Sequence, residues 1–258
     1  MALVQCSFFS ESLGLSSSMT VIIPQAPKSH AGINGGRKGA RKYPVLYLLH
    51  GMSDDHTSWS RQTFIERYVS GMGLVVVMPA VNRSYYSDMH SGPKYWTFLS
   101  QELPELVESF FPVSDRREDT FAAGLSMGGY GAFKLALTRP EKFAAAASFS
   151  GALDPQALAG LIPERNQEHV SNFGDKSVYG TTNDLYHVSR ELAKSSSVKP
   201  RLFQCCGTED FLYRDNLKFK EHLEALNFDL TYEDGPGDHE WGYWDVSIRK
   251  ALRWLNLQ

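Results

Sequence analysis

Ser126 stands at the centre of Gly124-Leu125-Ser126-Met127-Gly128, a G-x-S-x-G pattern. A β-prone run, TFAAG, leads into it, and a helix-prone run, MGGYGAFKLALT, leads out. A chain that passes from strand to helix in one sharp turn exposes the hydroxyl at its apex, and small neighbours keep that turn from clashing. The helix that follows also aims backbone N–H groups at the place where negative charge would develop during acyl transfer. The bare pattern is weak; its strand–turn–helix context makes it strong, against the plainer reading of a Gly-rich turn with an idle serine.

A serine hydroxyl needs a base to take its proton. With the nucleophile on such a turn, a carboxylate and then a histidine are expected further along the chain. His187, His222 and His239 follow at sufficient distance. His187 falls in the insertion-like region Leu153–Lys199, and His222 reads as an ordinary helix-surface residue. His239 follows the last strand candidate in the loop Gly235-Pro236-Gly237-Asp238-His239 and is the expected base. The orienting acid should sit just past a strand: after RLFQCC comes Gly207-Thr208-Glu209-Asp210, where Asp210 is preferred over Glu209, with a helix N-cap role as its alternative. Asp238, adjacent to His239, points the wrong way to clamp the ring. The oxyanion donors are expected to be the N–H of Met127 and the N–H of Met52, in the loop His50-Gly51-Met52, with Gly51 as runner-up and the His50 ring read as structural. Of the aromatic residues near these positions in sequence (Trp59, Tyr95, Trp96, Phe211, Trp241 and Trp244), Trp59 and Trp241 are candidates for walling a substrate pocket, against ordinary core roles.

These residues need a frame. Short, nearly continuous apolar runs alternate with helical stretches after residue 42: Tyr43–Leu49, Leu74–Met78, Thr120–Gly124, Phe143–Phe149, Arg201–Cys206 and Phe228–Glu233. Strands apolar throughout are expected when helices cover both sheet faces. Helices are expected over Thr57–Ser70, Trp96–Phe111, Met127–Thr138, Leu185–Ser195, Asp215–Leu226 and Tyr243–Leu255, with Pro112 and Pro140 just past two of them. The alanines of Phe143–Phe149 favour helix intrinsically, yet its shortness and position argue for a strand. Val4–Ser10 and Met19–Pro24 read as an antiparallel hairpin. The sum is an α/β fold with an about eight-stranded, mostly parallel sheet and helices on both faces. One domain over 1–258 is expected, with Leu153–Lys199 as an insertion, either a lid or binding element or a packed excursion with short helices of its own.

A core of this length buries roughly three quarters of the unfolded surface, so no metal or disulfide is needed to hold it. A formal net charge of −3 argues against a nucleic-acid partner or an anionic membrane surface. Arg37, Lys38, Arg41 and Lys42 cluster in the Gly-rich loop Ala26–Lys42 and read as solvated. Three cysteines, Cys6, Cys205 and Cys206, make a poor disulfide framework, and no spacing suggests zinc. No metal or cofactor is expected. No leader segment or membrane span is recognised, so a cytoplasmic location is the expectation. Homo-oligomerisation stays open.

The chain resembles the esterase D-like branch of the α/β-hydrolases, most closely bacterial tributyrin esterases, with S-formylglutathione hydrolases, feruloyl and acetylxylan esterases and mycolyltransferases as relatives. The likeness rests on YLLHGMSDDHTSW, SQELPELVESFFP, REDTFAAGLSMGGYGAFKLAL, Cys206–Asp210 and Gly237–Trp241, from about Tyr43 to the C-terminus. It implies an α/β-hydrolase fold and cofactor-free hydrolysis of short-chain acyl esters, with the family's triad falling on Ser126, Asp210 and His239. The Ala26–Lys42 and Leu153–Lys199 regions match less clearly. The readings to be separated are a broad carboxylesterase, an S-formylglutathione hydrolase-type thioesterase, a non-catalytic binding protein on a hydrolase fold, and an acyltransferase. The thioesterase family usually differs at the oxyanion loop, where this chain has HGM.

Overall fold

The computed structural model describes residues 1–25 and 42–257. Eight strands form one sheet: β1 (Ala2–Ser10), β2 (Leu15–Ile23), β3 (Val45–Leu49), β4 (Val75–Pro79), β5 (Thr120–Leu125), β6 (Ala145–Phe149), β7 (Arg201–Gly207) and β8 (Leu230–Gly235). Their spatial order is β1-β2-β4-β3-β5-β6-β7-β8. β1 and β2 pair as the expected hairpin, longer than its sequence pattern suggested, and β2 joins β4 antiparallel. All remaining pairs are parallel. The loop Ala26–Lys42 lies outside the described residues apart from Lys42, which pairs with Asp115 at the surface.

Every residue of β3, β4, β5 and β6 is buried. Alternate side chains go to opposite sides: Tyr47, Leu49, Val75 and Val77 join one core layer, and Leu46, Leu48, Val76 and Met78 join the other. The alanine-rich run becomes strand over Ala145–Phe149 because it lies between β5 and β7 and pairs with both, which overrides its intrinsic helix preference.

Two helical stretches differ from expectation. Thr57–Ser70 splits into Ser58–Gln62 and Ile65–Tyr68, with Thr63 extended between them and its hydroxyl bonded to the Trp59 carbonyl at 2.6 Å. The helix after Tyr95 contains a π turn over Phe98–Glu102, just before Pro104. Pro104 has no N–H to offer the Ser100 carbonyl, which instead accepts from the Arg139 guanidinium at 3.0 Å. Met127–Thr138 forms as expected. The 153–199 region carries helices Pro155–Leu161, Asn166–Phe173 and Leu185–Lys194. The last of these packs on Met127–Thr138 and belongs to the covering layer.

Candidate active site

Ser126 follows β5 and opens the helix Met127–Thr138, with φ 52° and ψ −119°. This left-handed backbone costs about 1–3 kcal/mol and persists only where its surroundings hold it. Here the Ser126 N–H bonds the Phe149 carbonyl at the end of β6 (2.9 Å), and its carbonyl accepts from Ala152 (3.0 Å) and Gly129 (3.0 Å). Glycine is obligatory on both sides. A Cβ on Gly124 would lie 2.3 Å from the Gly128 carbonyl oxygen, and one on Gly128 would lie 2.4 Å from that of Leu49.

His239 and Asp210 come from the loops after β8 and β7, which are laced together by Thr208 N–H to Gly235 (2.9 Å) and Glu209 N–H to Gly237 (3.0 Å). The Ser126 Oγ lies 3.0 Å from His239 Nε2, and His239 Nδ1 lies 2.8 Å from Asp210 Oδ2. A carboxylate only accepts, so Nδ1 carries the proton and Nε2 presents its lone pair to the serine hydroxyl. The Asp210 side chain is fully buried. Burial works to raise its pKa, but the bond and charge of His239, the Leu212 N–H (2.8 Å) and the Ser150 hydroxyl outweigh it, holding the carboxyl below its ordinary range. Phe211 and Trp244 flank the imidazole, with ring centroids 4.7 and 4.9 Å away.

The neighbouring acids serve other ends. Glu209 accepts from the Gly237 N–H, and Asp238 accepts from the His239 backbone N–H at 2.7 Å. His187 and His222 lie away from Ser126. His222 is half-buried, not a surface residue as the sequence suggested: its Nε2 meets the Ser189 hydroxyl at 2.8 Å and its ring packs on Tyr186 and Phe219. Ser189 is fully buried and its hydroxyl donates to the Leu185 carbonyl, so this second Ser–His pair is structural. His50 is structural too. Its Nδ1 meets the Gly51 carbonyl at 2.7 Å, its Nε2 accepts from the Val81 N–H at 3.1 Å, and burial lowers its pKa and keeps it neutral.

Gly51, Met52 and Met127 border Ser126 in a cavity of about 500 Å³, walled further by Trp241, Trp244 and Leu158. The Gly51 N–H is spent on Asp54 Oδ2 at 3.2 Å. The Met52 N–H meets no acceptor among the described residues, and Met127 stands at the first helical position, where an N–H has no intrahelical acceptor.

Trp59 does not wall the cavity, which corrects the expectation for that residue. It is 1% exposed, its indole N–H donates to the Leu49 carbonyl at 3.0 Å, and it meets Trp241 edge-on from behind at 5.2 Å. Tyr95 and Trp96 are likewise absent from the wall, whereas Phe211, Trp241 and Trp244 line it. Sequence reasoning missed Ser150, which accepts from the Trp244 indole N–H at 3.1 Å, and the lining residues Tyr85, Leu158 and Arg165. Ser150 follows β6 with φ 47°, a conformation that no sequence motif marks. The other three come from segments without clear periodicity.

Residues 12–255 match the family described as "Putative esterase". An acetyl esterase of Caldicellulosiruptor saccharolyticus is 28% identical, over 99% of this chain and 98% of its own. Two Staphylococcus aureus structures are each 36% identical, with 98% of both chains covered: the fluorophosphonate-binding serine hydrolase FphF (TM-score 0.89) and the S-formylglutathione hydrolase FrmB (TM-score 0.85). The frame is thus the α/β-hydrolase fold, and the chain belongs to this esterase family as a serine ester hydrolase.

Proposed function

We propose that this enzyme is a carboxylesterase that hydrolyses short-chain acyl esters, acetyl to butyryl, of aryl, glyceryl or sugar alcohols through an acyl-enzyme. The observation that carries the reading is the unbroken Ser126–His239–Asp210 hydrogen-bond chain, with Ser126 and His239 on the cavity wall next to two backbone N–H groups that have no acceptor among the described residues. In the first half-reaction Ser126 Oγ attacks the ester carbonyl as its proton passes to His239 Nε2. Asp210 stabilises the imidazolium, and the N–H groups of Met52 and Met127 receive the oxyanion. The C–O bond to the alcohol breaks as His239 returns that proton to the leaving oxygen. In the second half-reaction water attacks the acyl carbonyl as its proton passes to His239, and the acyl C–O bond to Ser126 breaks as His239 returns that proton to Oγ, releasing the acid. With the Gly51 N–H already bonded to Asp54, Met52 is the better second donor.

The short-chain preference is supported by the cavity's bulky walls and by the small adjoining space of about 20 Å³ between Leu158, Ala159 and Phe173. The acetyl esterase relative agrees with it. The test is hydrolysis of p-nitrophenyl acetate and butyrate by wild type and Ser126→Ala. Wild type is expected to turn over, with loss of about a thousandfold or more in the variant. Better cleavage of the decanoate than of the butyrate would remove the short-chain claim. The likeness to FrmB favours one second reading, a thioesterase acting on S-formylglutathione. Comparing kcat/KM for that thioester with kcat/KM for simple acetate esters separates the two.

A further inference from the structure

Arg165 ends a short 3₁₀ turn between the helices Pro155–Leu161 and Asn166–Phe173. It is half-buried and lines both the main cavity and the small space adjoining it. Its guanidinium makes no ion pair or hydrogen bond with any of the described residues. Arg83, in contrast, donates from Nε and Nη2 to the two carboxylate oxygens of Glu168. The other carboxylates on these walls are committed as well. Asp54 accepts from the Gly51 N–H, Glu240 caps the following helix through the N–H groups of Gly242 and Tyr243, and Glu168 is held by Arg83. Asp54 and Glu240 keep their charge but neither pairs with Arg165, so the cavity presents a planar five-donor cation with no ion-pair partner among the described residues, in the geometry that binds a carboxylate through two parallel bonds.

The position of Arg165 indicates which half of a substrate would carry that anion. His239 must protonate the departing alcohol, so the alcohol lies on the wall of His239, Phe211 and Trp241. On that placement the acyl group would extend the other way, past Met52, which lines both spaces. Met52, Tyr85, Leu158 and Arg165 are shared with the adjoining space, which has none of Ser126, His239 or Trp241 on its wall.

We infer that the acyl side of this site accepts acids bearing a terminal carboxylate, such as hemiesters of short dicarboxylic acids, with Arg165 as the residue that selects them. The inference rests on the ester hydrolysis proposed above. The test measures ethanol release from monoethyl succinate, glutarate and adipate against ethyl butyrate and ethyl pentanoate, for wild type, Arg165→Gln, Arg165→Lys and Arg165→Glu. Thermal unfolding of each variant is recorded alongside. In wild type at least one hemiester is expected to match or exceed the neutral ester of similar length, with an advantage that shrinks as ionic strength rises. Arg165→Gln is expected to lower the hemiester-to-neutral ratio of kcat/KM by about tenfold, Arg165→Glu by more, and Arg165→Lys by less. Turnover of neutral esters with a poor hemiester rate, and a ratio that Arg165→Gln and Arg165→Glu leave unchanged in folded protein, would overturn this inference alone. Failure of wild type to exceed Ser126→Ala on every ester would overturn the reading beneath it as well.

Discussion

Two kinds of wall enclose the same cavity. One is made by the carboxyl ends of β5, β7 and β8, which supply Ser126, Asp210 and His239. The other comes from the Pro155–Phe173 segment, which supplies Leu158 and Arg165. On the first wall each group is held several times over. Ser126 is fixed by β6 and by two glycines that admit no side chain, Asp210 by Leu212 and His239, and the His239 loop by Thr208 and Glu209. The second wall is two short helices beside the sheet, with Leu161 and Val170 exposed to solvent. Under the proposed function, chemistry that tolerates errors of only a fraction of an ångström would sit on rigid strand ends, and substrate choice on a segment that can vary without disturbing the sheet.

The largest effect expected from breaking the first wall is that of Asp210→Asn. The amide can stabilise the wrong imidazole tautomer, so kcat on p-nitrophenyl acetate should fall about 10⁴-fold while the melting temperature changes little. A loss of only a few-fold would mean that Asp210 does not orient His239. Gly128→Ala tests whether close packing maintains the elbow. Its methyl would press on the Leu49 and His50 carbonyl oxygens, at 2.4 and 2.7 Å, so calorimetry should show a melting temperature lower by about 5 °C, together with reduced turnover. An unchanged melting curve would show that the helix can move away from β3 freely. The smallest effect should come from the second wall. Leu158→Ala is expected to raise the hexanoate-to-acetate ratio of kcat/KM by about tenfold through added room. If it instead depressed all esters equally, the segment would be supporting the catalytic groups and not choosing among substrates.

Much of the first wall was legible in the residues. Gly124-Leu125-Ser126-Met127-Gly128 announces a strand-to-helix apex because only small residues fit where helix and strand backbones nearly touch. His239 and Asp210 stood out by lying just past apolar runs that could only be strands. The helix split at Thr63 and the π turn before Pro104 were not legible, since each depends on partners distant in the chain or in the fold: the Leu49 carbonyl that anchors Trp59, and the Arg139 guanidinium that reaches Ser100. Trp59 was misplaced for the same reason. Sequence proximity to the oxyanion loop does not say on which side of Trp241 an indole will settle.

The amino-acid order by itself determined the alternation of buried strands and helices, the apex serine, and the chain order of the groups around it, because periodicity, glycine spacing and strand ends are local properties. Only the tertiary structure decided that, among the described residues, the Gly51 N–H has an acceptor while that of Met52 has none, that Ser150 supports Asp210, and that Arg165 lines the cavity without a counter-ion. Those outcomes depend on which groups from separate segments consume one another's hydrogen bonds and charges, and that is settled only when the segments meet.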